Sequence, residues 1–251
     1  MPLPALVLVH GGVQAADCWD LTIAELRRQE PQLKTFAVDL PGRRGKPGDL
    51  STATIRHWVD SVVDDVERAG FEDIVIVGHS LAGVTLPGVV ARLGVSRVRE
   101  MILAAAFIPA QGAAIVDLIA GPLAGLARRR AQTDKPLRLP ALIARYAFCN
   151  GMTRAQRLFA LSHMYAESVR VGIERVDRSD LPPEVPRTWI LTMRDRALPV
   201  SAQRVCITAL GGVQTVIPID ACHNVMVSHP QQLATILIDR CRSAAPSATG
   251  A

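Results

Sequence analysis

Six short apolar runs recur along the chain, separated by stretches with the spacing or capping chemistry of helices. They are ALVLV (5–9), KTFAVDL (34–40), DIVIVG (73–78), EMILAAAF (100–107), RTWILTM (187–193) and QTVIPI (214–219). A continuous apolar run, as opposed to an alternating one, marks a strand covered on both faces. Helical stretches are expected around 18–30, over 52–69 with Ser51 or Thr52 as its cap, over LAGVTLPGVVARL after Ser80, and over PQQLATILIDRC (230–241). PGRRGKPGD (41–49) is turn chemistry throughout. Six buried strands separated by helices predict an α/β fold: a doubly wound, mainly six-stranded parallel sheet with right-handed crossovers.

The fourth and fifth runs stand apart. Residues 109–185 form an insertion, helical by pattern, rich in Leu, Ala and Arg, and broken at Gly121, Pro122, Pro136 and Pro140. A stretch of that length in a regular fold is not plain loop. It is expected to be a helical cap over the carboxyl ends of the strands, where open α/β sheets bind ligands. The organisation predicted is a core of residues 1–108 and 186–242, a cap of 109–185, and a flexible tail of 243–251.

Composition narrows the function classes. At 49% hydrophobic and 20% charged, the 251 residues can bury a sizeable core. A net charge of +5 permits contact with anions, but the basic residues are dispersed. The one tight run, Arg128-Arg129-Arg130, lacks interleaved aromatics and reads as a solvated helix end, not a nucleic-acid surface. Five cysteines without a CxxC pair give no zinc or disulfide framework, so a reducing cytoplasm is expected, with no metal and no cofactor. MPLPALVLVHGG has neither a basic leader nor the length of a membrane span and reads as the first core strand.

Ser80 ends a β-branched strand in VIVGHSLAG (75–83) and precedes a helix. That context suits a nucleophile elbow, in which a strained turn lifts the serine Oγ off the sheet and small residues must flank it. Gly78 meets the need on one side. On the other stands Ala82, with Gly83 one place later. Asp195 follows the fifth strand in TMRDRALP, ahead of Pro199, which can open a helix. His223 lies beyond the sixth strand in DACHNVMVSHP. A histidine can take a serine proton near neutral pH, and a carboxylate behind it fixes the tautomer. An oxyanion hole needs two backbone amides. Leu81, after the nucleophile, and Gly12, in the loop VHGGVQ after the first strand, are the candidates. His10 reads as a structural loop residue, Asp39 and Asp220 as turn and capping residues, and Cys222 as a packed thiol. LFALSHMYAES (158–168) offers Leu161, Met164 and Tyr165 as pocket residues, or else an amphipathic cap helix packed on the core.

With LVLVHGG, AVDLPGRRG, VGHSLAG, ILTMRDRALP and CHNVMVSHPQQLA in that order, the chain resembles the α/β-hydrolase superfamily. Within it, the chain is most similar to the methylesterase and hydroxynitrile lyase branch, such as the plant salicylate-binding methyl esterases. The resemblance covers most of 5–107 and 187–241. It implies Ser80 as nucleophile, His223 as base, Asp195 as triad acid, and the Gly12 and Leu81 amides as oxyanion hole. Hydroxynitrile lyases of the branch carry lysine directly after the catalytic histidine, and this chain has Asn224. The activity expected is that of a serine carboxylesterase or lactonase on a small, apolar, ester-like molecule. Nucleic-acid and membrane partners are not expected, and the protein is expected as a monomer or homodimer. The alternatives are other chemistry on the same triad (C–C hydrolysis, acyl transfer or elimination) or a ligand-sensing protein without turnover.

Overall fold

A computed structural model describes residues 2–118, 125, 129, 133 and 135–245. Gly121, Pro122, Arg128 and Arg130, named above, lie outside the described residues, as does the tail beyond 245. Six strands form one parallel sheet: β1 (Ala5–Val9), β2 (Thr35–Val38), β3 (Ile74–His79), β4 (Val98–Ala104), β5 (Arg187–Thr192) and β6 (Thr215–Ile219). Their order is β2-β1-β3-β4-β5-β6. The chain starts near the middle, winds one way through β2, then returns past β1 and winds the other way. This is the doubly wound arrangement the sequence predicts.

Alternate residues of each central strand feed two cores. Val7, Val9, Ile76 and Leu103 pack on one face with α2 (Ile55–Arg68) and α3 (Leu86–Leu93). Leu6, Leu8, Val77 and Ile102 pack on the other with α1 (Asp20–Gln29) and the closing helix Pro230–Ala244. Both faces are therefore dry at the centre, and the strands read as unbroken apolar runs. The two edges depart from the expectation of six buried strands. β2 is mostly half-buried, and β6 alternates between half-buried and exposed, with Val216 and Pro218 facing outward. Pro218 lacks an N–H, which an edge strand tolerates and a central one does not.

Local capping differs as well. α2 begins at Ile55, and Thr54 caps it by accepting a hydrogen bond from the His57 amide. Ser51 and Thr52, the expected caps, belong instead to a turn organised by Asp49, whose carboxylate accepts from the Ser51 amide. After Ser80 the chain makes a 3-10 turn (Ser80–Val84) before α3 starts, so Ala82 lies in that turn and not in an α-helix.

Within the insertion, α4 (Ala141–Phe148) and α5 (Arg154–Ser162) are helical. The helical pattern through residue 168 does not persist. α5 stops at Ser162, and Glu167 pairs with Leu137 in an isolated antiparallel bridge. Cys149, Met152 and Ala160 of this segment join the α1 side of the core. Further on, α6 (Val200–Ala209) follows Pro199, which is its N-cap, and α7 (Val225–Ser228) precedes α8 (Pro230–Ala244). Among the described residues no helix is long and apolar enough to cross a membrane.

Candidate active site

The carboxyl ends of β3, β5 and β6 bring Ser80, Asp195 and His223 together. Ser80 sits at φ +53, in the left-handed region that side chains rarely occupy. The turn is forced by close packing on both sides. A Cβ on Gly78 would lie 2.6 Å from Leu86, and one on Gly83 would lie 2.4 Å from the Phe107 carbonyl oxygen. The glycine displaced by one place in the motif is thus required where it stands. The Phe107 amide in turn donates to the Ser80 carbonyl at 2.9 Å.

Ser80 Oγ is 2.8 Å from His223 Nε2, and His223 Nδ1 is 2.7 Å from Asp195 Oδ2. Asp195 Oδ2 also accepts from the Thr192 hydroxyl, and its Oδ1 accepts the Ala197 and Leu198 amides at 2.8 and 2.7 Å. Burial alone would raise the Asp195 carboxyl. The His223 imidazole and the bonds from Leu198 and Thr192 outweigh it, leaving this carboxyl below its usual range. An ionised Asp195 can only accept, so the proton sits on His223 Nδ1 and the Nε2 lone pair faces the serine hydroxyl. The set can accept a proton from an attacking Ser80 and stabilise the cation that results.

Gly12 and Leu81 meet beside Ser80. A Cβ on Gly12 would lie 3.2 Å from the Leu81 side chain. The neighbouring Gly11 amide donates to Gln14 and the Val13 amide to Glu167, so the Gly12 amide lies between two anchored peptide groups.

Two buried histidines whose rings bond elsewhere than to the Ser80 hydroxyl frame the site. His10 accepts from the Leu40 amide at Nε2 and donates from Nδ1 to the Gly11 carbonyl, which leaves it no free nitrogen for proton transfer. His79 donates from Nε2 to the His223 main-chain carbonyl at 2.9 Å, and its Nδ1 lies 3.1 Å from the Gln14 carboxamide. Gln14 Nε2 reaches Asn224 Oδ1 at 3.2 Å. Gln14 therefore links the Gly12 loop to Asn224 in the His223 loop, and His79 links the elbow to that loop through the His223 carbonyl.

Burial pushes both His10 and His79 down to about 3. Their ordinary value is 6.5, so between these limits the unfolded chain binds protons that the folded chain refuses. Unfolding free energy should then fall by roughly 1 kcal/mol per pH unit for each histidine as pH drops below 6.5. Urea melts between pH 7 and 4 should show at least that slope, with uptake of two or more protons on unfolding, because the lowered His229 acts in the same direction. A profile flat over this range would contradict it.

The remaining expected residues fall as follows. Asp39 accepts from the Ala16 amide at the start of a 3-10 turn, and exposed Asp220 pairs with Arg194. Cys222 is buried, which raises its thiol. Tyr165 donates its hydroxyl to Asp17 and its amide to the Val13 carbonyl, beside the Gly12 loop. Met164 precedes it, half-buried. Leu161 edges an outer groove of about 290 Å³ lined by Arg145, Arg154, Arg157 and Leu158.

Phe148, at the end of α4, was not among the expected residues. Its ring stacks on the His223 imidazole, 5.2 Å between centroids and 27° between planes. Nothing in ALIARYAF distinguishes this phenylalanine from a core one. Among the described residues no group of three or more His, Cys, Asp or Glu converges as a metal site.

Residues 6–236 match the model of the alpha/beta hydrolase family, and the chain belongs to that family. Among curated proteins it is similar to a pyrethroid hydrolase of Sphingobium wenxiniae, 24% identical over 95% of this chain and 88% of that protein. It is also similar to a carbendazim hydrolyzing esterase of a Nocardioides species, 27% identical over 45% of this chain. That match spans about half, 46%, of the relative's own length. Among solved structures it resembles an extracellular alpha/beta-hydrolase from a Paenibacillus species, described as sharing structural and functional homology with Tobacco Salicylic Acid Binding Protein 2. The TM-score is 0.82 at 21% identity, over 94% of this chain and 98% of that one.

Proposed function

We propose that the protein is a serine carboxylesterase or lactonase acting on a small, largely apolar ester. The observation that carries this reading is the hydrogen-bonded line Ser80–His223–Asp195, and the reading takes the Gly12 and Leu81 amides as its oxyanion hole. Ser80 Oγ attacks the ester carbonyl carbon while His223 Nε2 takes its proton. The two amides hold the oxyanion. His223 then protonates the departing alcohol, and water cleaves the acyl-enzyme by the same sequence in reverse. Relatives named as an esterase and a pyrethroid hydrolase support ester chemistry. Asn224, engaged by Gln14, supplies no cation to stabilise a cyanide leaving group.

The same reading takes residues 109–185 as a cap over a core of 1–108 and 186–242, with Leu161, Met164 and Tyr165 as pocket walls and Phe148 above the base. Phe148 presents its face to an imidazole that becomes cationic during the reaction. Phe148→Leu should therefore lower kcat/KM about two- to fivefold, and Phe148→Tyr should restore it. Equal activity of the leucine variant would remove Phe148 from the reaction. The reading as a whole is tested by turnover of p-nitrophenyl acetate and butyrate with a pre-steady-state burst of one nitrophenol per chain. A folded protein with neither burst nor turnover would contradict it.

A further inference from the structure

Glu167 is a buried carboxylate that the chemistry above does not use. It comes from the stretch after α5, 154 residues along the chain from the loop it reaches. Its Oε2 accepts the Val13 amide at 2.8 Å, and its Oε1 accepts the Ser168 amide at 2.7 Å. Tyr165, two residues earlier, donates its amide to the Val13 carbonyl at 2.8 Å. Both peptide groups of Val13 are thereby held from the insertion, and Val13 is itself at φ +54. A non-glycine residue keeps such a conformation only when its surroundings impose it.

Arg43 completes the arrangement. Its side chain is fully buried, with Nη2 2.6 Å from Glu167 Oε1 and Nε donating to the Gln14 carbonyl at 2.8 Å. The contact with Glu167 is an ion pair between two buried groups. Arg43 therefore grips the Gly12 loop directly at Gln14 and indirectly through Glu167. The charges matter because the loop has an electrostatic task. Glu167 Oε2 would lie only 3.4 Å from a Cβ on Gly12, so an uncompensated carboxylate there would oppose any oxyanion held by the Gly12 amide.

We infer that the buried Arg43–Glu167 pair is a positioning device for the oxyanion hole. Glu167 fixes Val13, and with it the adjoining Gly12 donor, while Arg43 cancels the carboxylate charge beside the developing oxyanion. Since Tyr165 and Glu167 both belong to the insertion, docking of that segment assembles the hole. The inference rests on the esterase reading and adds to it a dependence of the hole on two residues that never touch substrate.

The test compares the wild type with Glu167→Gln, Arg43→Met and the double variant, each checked by thermal melting. Two readouts are taken: p-nitrophenyl acetate hydrolysis, and inhibition by a trifluoromethyl ketone, whose serine adduct carries the oxyanion. Glu167→Gln should lower kcat about tenfold and Arg43→Met about 100-fold, with KM changed less than about threefold. The double variant should return to the Glu167→Gln level, because the charge that Arg43 cancels is then gone. Ketone affinity should fall in step with kcat, which a loss of packing alone would not produce. If Arg43→Met does not fold, Arg43→Gln takes its place, alone and in the double variant, with the same expected losses, since it too removes the charge. Folded variants with wild-type kcat and ketone affinity would overturn the inference, as would a double variant whose loss is the product of the two single losses. A wild type that turns over no ester and gives no burst sinks the esterase reading itself, which separates the two failures.

Discussion

Ser80→Ala is expected to lower kcat by about 10⁴- to 10⁶-fold while leaving the protein folded. The substitution removes one hydroxyl, whose partner among the described residues is His223 Nε2 at 2.8 Å. The backbone of residue 80, at φ +53, stays wedged between Gly78, Gly83 and the Phe107 loop, and Ala fits that turn as readily as Ser. Stability should thus change by no more than about 1 kcal/mol, the usual worth of one hydrogen bond. Substrate binding should persist, because the oxyanion amides and any pocket around them are untouched. Steady-state kinetics with a melting curve check this. A variant that retains more than about a hundredth of the wild-type kcat would show that another group performs the attack.

Asp195→Asn is expected to cost about 10³- to 10⁴-fold in kcat through a proton in the wrong place. Asp195 Oδ1 holds two main-chain amides, those of Ala197 and Leu198, and an asparagine must put its carbonyl there. Its amide nitrogen then occupies the position of Oδ2, facing His223 Nδ1 across 2.7 Å. An N–H in that place requires Nδ1 to give up its proton, so the proton moves to Nε2 and points at Ser80 Oγ. The base is lost although every heavy atom remains near its place. Kinetics should show the fall in kcat, and the imidazole ¹⁵N shifts should show protonation on Nε2. An Asn variant with near-wild-type activity would mean that Asp195 does not set the tautomer of His223.

How much of this could be read in the chain depended on whether the signal was local. The apolar runs lie within single strands, so their number, order and parallel arrangement followed from sequence patterns. Ser80, Asp195 and His223 each stand just past a strand end, and a parallel sheet delivers all such ends to one side. Their meeting at 2.8 and 2.7 Å is a consequence of that topology. Glu167 and Arg43 carry no such signal. Glu167 sits in a stretch patterned like an amphipathic helix, where a glutamate reads as solvated, and only the early stop of α5 at Ser162 turns it inward. Arg43 lies in turn chemistry, where burial of an arginine is not foreseeable. Phe148 and His79 are likewise placed on His223 by packing between distant segments. The capping error has the same origin in reverse: three hydroxyl residues, Ser51, Thr52 and Thr54, compete within four positions, and the Asp49 turn claims the first two.

The central claim is that Ser80 is a nucleophile activated by His223. A fluorophosphonate forms a covalent bond only with such a serine, displacing fluoride as His223 takes the hydroxyl proton. Intact-mass analysis of the treated protein, followed by peptide mapping, should show one adduct per chain, on the peptide containing Ser80. The adduct should be absent in Ser80→Ala and strongly slowed in Asp195→Asn. A folded wild type that takes no adduct, or takes it at a residue other than Ser80, would contradict the account.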